Sequence, residues 1–254
     1  MNLAELPDRE IENFGEHVSV IFEGREWTNR EMRNASRRLA GALQSLGVQK
    51  GDRVIIQMPN CPEVLQSFQA VYMLGAVVVP INFMVGEAET AFIYRDTGAR
   101  VIISNSEFLP KIQACRKDAP SIEHVILTDR EAPEGTLSYH ELIETHSDET
   151  AICPTADDEL AALIYTAGTT GQPKGVMHTH YSLYINAKMQ QDTIELPAGL
   201  TSIAVLPLCH SYGIASMNYG MLVGGGKAVV LNSFDIETVF ASIEKYRAHT
   251  IGAV

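Results

Sequence analysis

Short runs of β-branched and other apolar residues alternate with segments of helical period along almost the whole 254-residue chain. That alternation restricts the fold more than any other feature. A strand, a helical segment and a second strand pack most readily as a βαβ unit, which makes parallel sheet. The strand runs are Val18–Phe22, Arg53–Met58, Val77–Val79, Val101–Ser104, His124–Leu127, Leu160–Thr166, Ser202–Leu206, Ala228–Leu231 and Thr250–Val254. Helical segments fall between most of them, at Thr28–Leu46, Cys61–Leu74, Glu87–Asp96, Phe108–Lys117, Tyr139–Thr145, Tyr181–Gln191, Tyr212–Leu222 and Ile236–Tyr246. The fold class expected is therefore α/β, with parallel β-sheets flanked by helices.

The clearest helix carries its own boundaries. Thr28 and Glu31 have the spacing of a capping box, Met32, Ala35, Leu39, Leu43 and Leu46 form one apolar stripe, and Gly47 ends it. Pro62 sits in the first turn of the next helix, where its missing N–H costs nothing. The polar, acidic stretch Thr145–Glu159 is expected to be a loop or linker, and Leu196–Gly199 a second, shorter one.

Composition excludes several classes. A formal net charge of −12 leaves no basic footprint for nucleic acid, although one lysine and a few backbone N–H groups still suffice for a phosphate. The start, Met1–Asp8, has neither the basic nor the apolar region of a secretory signal. The longest apolar stretch, Leu74–Val85, is broken by Pro80 and Asn82 and is too short for a transmembrane segment. Cys61, Cys115, Cys153 and Cys209 are widely spaced without a CxxC pair, as in a reduced, cytoplasmic protein.

The residues richest in chemistry are Leu163-Ile164-Tyr165-Thr166-Ala167-Gly168-Thr169-Thr170-Gly171-Gln172-Pro173-Lys174-Gly175-Val176. An apolar strand runs into a loop with three glycines, three threonine hydroxyls and one lysine. Glycines let backbone N–H groups approach a phosphate, hydroxyls add donors and lysine adds a mobile charge. It is not a Walker A sequence, because Pro173 precedes Lys174 and Gly175 follows it. The plainer reading, a Gly/Thr turn with a solvated lysine, suits a lone glycine pair better than a string of this composition.

Tyr165–Val176 resembles the phosphate-loop signature of the adenylate-forming superfamily, which contains acyl-CoA synthetases, peptide-synthetase adenylation domains and luciferases. It departs from the usual pattern at Ala167, where a Ser or Thr is usual. Leu206-Pro207-Leu208-Cys209-His210-Ser211-Tyr212-Gly213 resembles the family's second core motif, and Arg30–Val54 and Gly75–Asn82 resemble its N-terminal helix and first core strands. The likeness runs from about residue 17 to the last residue, with the phosphate loop its most specific part.

The resemblance implies ATP-dependent activation of a carboxylic acid, a fatty acid first among the options. The carboxylate attacks the α-phosphate of Mg-ATP, pyrophosphate leaves, and coenzyme A takes the acyl group from the adenylate. It assigns Thr166, Gly168, Thr169, Thr170, Gly171 and Lys174 to the β- and γ-phosphates, and Thr169 to Mg²⁺. His210 would border the acyl-adenylate pocket and orient the carboxylate, with Tyr212 and Gly213 on the same wall. A histidine after a strand is otherwise a packed or solvated residue. His178-Thr179-His180 has metal-like spacing but no acidic or Cys partner nearby, and Gly224-Gly225-Gly226 reads as a turn.

The same resemblance divides the chain into 1–48, packing with a second subdomain; 49–192, a first α/β subdomain with the phosphate loop; and 193–254, the start of the second. The family's adenine and ribose motifs, hinge and C-terminal lysine lie beyond these residues. The expectation is an N-terminal part, inactive alone, whose exposed apolar surface favours self-association as a homodimer. Other readings stay open: an aryl or short-chain acid ligase, a noncatalytic nucleotide-binding or interaction module, or an unrelated parallel α/β protein.

Overall fold

Two parallel-rich sheets carry the chain. The computed structural model describes residues 1–166, 172–193, 198–214 and 220–252. Its strands are β1 (Val18–Phe22), β2 (Arg25–Thr28), β3 (Arg53–Ile56), β4 (Val77–Pro80), β5 (Val101–Ser104), β6 (His124–Leu127), β7 (Leu137–Ser138), β8 (Leu160–Thr166), β9 (Lys174–Thr179), β10 (Thr201–Ala204), β11 (Lys227–Val230) and β12 (Thr250–Ile251). Its helices are α1 (Leu6–Phe14), α2 (Asn29–Ser45), α3 (Pro62–Met73), α4 (Glu87–Thr97), α5 (Leu109–Cys115), α6 (Tyr139–Thr145), α7 (His180–Thr193), α8 (Gly220–Gly224) and α9 (Ile236–Tyr246).

The larger sheet has the order β7-β6-β5-β3-β4-β8-β9, and the smaller β12-β10-β11-β1-β2. All neighbours run parallel except two hairpins, β8 with β9 and β1 with β2. The parallel strands are buried on both faces, which is why they read as unbroken apolar runs. Val54 and Ile56 of β3 point into the core that holds Leu39, Leu43, Phe68 and Tyr72, and Ile55 points into the one holding Ile93, Tyr94 and Ile112. The smaller sheet shares the first core and has one of its own around Ile21, Ile203 and Val229.

The reciprocal capping box at Thr28 and Glu31 is present at the start of α2, and Cys61 precedes Pro62 at the start of α3. β1 lies beside β11, so the first strand of the chain closes the sheet formed by the last ones. Part of the Tyr212–Leu222 expectation lies outside the described residues.

Three expectations need correction. The first 14 residues carry a 3₁₀ turn (Leu3–Glu5) and α1, where no element was expected. The signals were present but local: Asn2 and Glu5 form a capping box, with the Asn2 side chain accepting from the Ala4 N–H, and Pro7 stands in the first turn of the nine-residue α1. Lys174–Thr179, where no element was expected, is a strand that precedes the expected helix. Lys174–Thr179 has weak strand propensity and a glycine, and is held extended by its ladder to β8. Finally, Thr145–Glu159 is mostly irregular but not a free linker. The Cys153 N–H donates to the Met73 carbonyl at 2.7 Å, Asn2 Nδ2 donates to the Cys153 carbonyl at 2.9 Å, and Lys50 pairs with Glu159 at 2.7 Å. Backbone bonds of this kind depend on the tertiary fold and have no sequence signature.

Candidate functional site

β8 runs parallel to β4, so its carboxyl end lies at the same edge of the sheet as the ends of β3, β4 and β5. In open parallel sheets that edge is where ligands bind, because the strands stop there and loops converge. β8 pairs with β4 through Val78 and Ala162 and continues past it to Thr166. The chain then returns as β9, with Thr166 opposite Lys174, Tyr165 opposite Gly175 and Ile164 opposite Val176. β8 and β9 thus flank the Gly/Thr segment at the carboxyl edge, and Thr166 and Lys174 form the last pair of their ladder.

Gly168, Thr169, Thr170 and Gly171 lie outside the described residues. Thr166 and Lys174 are both exposed, and no ion pair engages the Lys174 ammonium among the described residues. An exposed lysine paired in register with an exposed threonine, on either side of a glycine- and threonine-rich sequence, suits a polyphosphate. For Mg²⁺ the described residues offer no cluster of three His, Cys, Asp or Glu side chains. Hydroxyl oxygen, as on Thr166, is the ligand type the hairpin can bring to a hard cation.

Below that last pair, the Tyr165 ring lies across Gly175. A Cβ on Gly175 would stand 3.1 Å from the ring. The Tyr165 hydroxyl donates to the carboxylate of Asp96 in the last turn of α4. Burial, reinforced by that bond and by the charge of Asp96, pushes the phenol up from its ordinary range.

His210 stands on the turn after β10, in the other sheet, and is exposed. The turn is anchored from beneath. Asn60, 4% exposed in the loop between β3 and α3, accepts from the Leu208 N–H at 2.7 Å. Its Nδ2 donates to the Leu206 carbonyl at 2.9 Å and to the Leu231 carbonyl at 3.1 Å. Cys209 is buried with its Sγ 3.6 Å from the Ile56 carbonyl, and burial pushes its thiol up to about 12. Gly213 folds back over the turn, where a Cβ would meet the Pro207 carbonyl at 2.4 Å and Leu208 Cα at 2.7 Å. The Tyr212 N–H points at His210 Nδ1 at 3.4 Å, and Ser211 Oγ lies 3.5 Å from the same nitrogen. Asn60 thus bonds the His210 turn to the carboxyl edge from which the β8–β9 hairpin also rises.

The His178-Thr179-His180 string separates into two environments. His178 is half-buried on β9, and burial lowers its pKa. His180 is fully buried at the start of α7, where its Nδ1 accepts from the Leu3 N–H at 3.2 Å and its ring meets Tyr72 edge-on at 5.7 Å. Desolvation lowers its pKa to about 4. It fastens the N-terminal turn to the base of the hairpin. Asn60 and Asp96 were not singled out in the sequence. The signal for Asn60 was a polar residue placed between a strand and the first proline of a helix.

A parallel α/β architecture with an anion-suited hairpin at its carboxyl edge defines a nucleotide-binding class of fold in general terms. The chain belongs to the AMP-binding enzyme family, whose match runs over residues 7–254. It is 32% identical over 269 aligned positions to 4-coumarate–CoA ligase 2 of Oryza sativa subsp. japonica, covering 99% of this chain and 46% of the relative. It is 28% identical to the crotonobetaine/carnitine–CoA ligase of Citrobacter koseri, over 97% of this chain and 50% of the relative. Among solved structures it superposes on the anthranilate CoA ligase AuaEII in complex with anthranoyl-AMP with a TM-score of 0.93, at 25% identity, over 99% of this chain and 49% of that one. The chain spans about half the length of the curated relatives it matches. No helix among the described residues is long and apolar enough to cross a membrane.

Proposed function

We propose that this chain is the ATP-handling part of an acid–CoA ligase, which joins a carboxylic acid to AMP and passes the acyl group to coenzyme A. The observation that carries the reading is the hairpin, with the exposed Lys174 opposite Thr166 on either side of the Gly/Thr segment. Lys174 and the loop, with Thr166, Gly168, Thr169, Thr170 and Gly171, hold the β- and γ-phosphates. The negative charge that builds on departing pyrophosphate is met there by groups already in place. The Thr169 hydroxyl would hold a Mg²⁺ ion brought by the nucleotide, which would offset the charge of the phosphates. His210 borders the acyl-adenylate pocket and orients the carboxylate for in-line attack on the α-phosphate. Residues 1–48, 49–192 and 193–254 act as the three structural parts, which the shared sheet of β1, β2, β10, β11 and β12 supports.

The acid is a fatty acid in the first reading. A second reading, an aromatic acid, is favoured by the names of two relatives, the 4-coumarate and anthranilate CoA ligases. The test is exchange of labelled pyrophosphate into ATP with long-chain, short-chain and aromatic acids, alongside direct binding of Mg-ATP. The 254-residue chain is expected to bind Mg-ATP without supporting exchange, and a chain of the relatives' length to support both. Failure of the chain to bind Mg-ATP would overturn the reading of the hairpin. Exchange by the chain alone would make it a complete adenylating unit.

A further inference from the structure

The hairpin must hold Lys174 and Thr166 steady beyond the edge of the sheet, and β9 is an edge strand with no second neighbour in the sheet order. Beside the ladder to β8, its neck carries a tertiary contact at one pair. Tyr165 and Gly175 lie directly beneath Thr166 and Lys174 in the register. Tyr165 packs with Leu163 against the core of Ile55, Val79, Ile93 and Tyr94 between the sheet and α4. Its hydroxyl then reaches Asp96.

Two features single this contact out from ordinary packing. A phenylalanine would fill the same space, so the hydroxyl serves the bond to Asp96 and not the packing. Asp96 itself stands in the last turn of α4, where the helix dipole disfavours a negative charge. An aspartate there weakens its own helix, and the Tyr165 O–H is the partner that offsets this. Gly175 completes the arrangement, since any side chain on it would push the ring aside.

We propose that Tyr165 is a positioning residue for the phosphate site: with its ring across Gly175 and its hydroxyl on Asp96, it braces the neck of the hairpin against α4 and thereby presents Lys174 and Thr166 to a nucleotide triphosphate. The assignment rests on the nucleotide reading of the loop, and extends it to α4, a helix that carries none of the phosphate-binding residues.

The experiment uses the 254-residue chain and three variants, Tyr165→Phe, Asp96→Ala and Asp96→Asn, with Mg-ATP as the probe. Two readouts are taken: amide hydrogen exchange across β9 without nucleotide, and the Kd for Mg-ATP. Tyr165→Phe and Asp96→Ala are expected to speed exchange across β9 and to raise Kd by about three- to tenfold, the range of one lost hydrogen bond. Asp96→Asn keeps an acceptor and is expected to recover most of both effects. Unchanged β9 exchange in Tyr165→Phe overturns the brace whether or not nucleotide binds. Faster exchange with an unchanged Kd, in a chain that binds Mg-ATP, overturns its positioning role. Absence of binding by the unsubstituted chain instead overturns the nucleotide reading on which the assignment rests.

Discussion

Asn60 and Leu208, 148 positions apart in the chain, meet in one 2.7 Å hydrogen bond that joins the two sheets at their carboxyl edges. Asn60 follows β3 of the larger sheet, and Leu208 follows β10 of the smaller. With its two donor bonds to Leu206 and Leu231, the Asn60 amide uses both ends to define the turn that carries His210. The relative placement of His210 and the hairpin depends on this contact.

Asn60→Ala is therefore expected to lower stability by about 2–4 kcal/mol, since it strands a buried N–H and removes three bonds. Asn60→Asp keeps the acceptor for Leu208 but turns a charge toward two carbonyls, and is expected to recover little. Urea denaturation of the three proteins measures both differences. A loss below about 1 kcal/mol for Asn60→Ala would mean that the turn is held by Cys209 and Gly213 instead.

Gly213 fixes the same turn by steric exclusion. A Cβ there would overlap backbone atoms, a carbonyl oxygen and a Cα, which cannot swing away as a flexible side chain can. Gly213→Ala is expected to cost about 2 kcal/mol or more through forced backbone movement. The His210 ring resonances in an NMR spectrum should move with it, whereas Gly86→Ala, with nothing within 4 Å of its Cβ, should leave them in place.

Most of the parallel sheet was legible because its strands are buried on both faces. Val101–Ile103 and Val125–Leu127 are unbroken apolar runs, and the observed strands, Val101–Ser104 and His124–Leu127, have the expected bounds. β9 was not legible, because Lys174–Thr179 is an edge strand with only Val176 and Thr179 branched at Cβ. Its conformation comes from the partner strand. The phosphate-loop string could be read at Thr166 and Lys174 as residue types, but their pairing needed the hairpin register. Asn60 and Asp96 are single polar residues whose partners lie far along the chain: the place of Asn60 between a strand and a helix-opening proline marks a turn, but nothing local marks the partners of either residue.

Lys174 reaches solvent and makes no ion pair among the described residues, so its removal should leave the fold alone. Lys174→Ala is expected to keep its thermal midpoint, with a stability change within about 0.5 kcal/mol. Its Kd for Mg-ATP should rise about ten- to a hundredfold, the scale of one charge-assisted bond. Thr166→Val should show a smaller rise. Calorimetry on the nucleotide-free and nucleotide-bound chains separates the two effects, and a large loss of stability in Lys174→Ala would make the lysine structural.

His180 makes folding pH-dependent in the acid range. Its pKa falls from 6.5 to about 4 on folding, chiefly through desolvation. Between those values the unfolded chain takes a proton that the folded one refuses, so stability is full above pH 6.5 and is lost as pH falls toward 4. The loss is on the order of 3 kcal/mol. His180→Asn keeps an acceptor for the Leu3 N–H but cannot titrate. Its denaturation midpoint should lack this acid-side decline.

Glu10 works in the opposite direction. It is 2% exposed on α1, its Oε1 lies 3.3 Å from His17 Nε2, and neither carboxyl oxygen has a well-formed hydrogen bond among the described residues. It lines a cavity of about 50 Å³ beside Val20, Met32 and Leu222. Desolvation raises its pKa from 4.5 to about 8. Between those values the folded carboxyl keeps a proton that the unfolded one has released, so its contribution is full below pH 4.5 and is lost as pH rises through 8. The change is on the order of 4 kcal/mol. From pH 4.5 to 6.5 the slopes of Glu10 and His180 oppose each other, and from 6.5 to 8 Glu10 acts alone of the two. Glu10→Gln, which is neutral at every pH, should therefore steepen the rise in stability from pH 4.5 to 6.5 and remove the fall above it. Urea midpoints taken at half-unit intervals from pH 4 to 9 test this. A Glu10→Gln curve parallel to the unsubstituted one would show that Glu10 ionises in the folded chain as it does in the unfolded one.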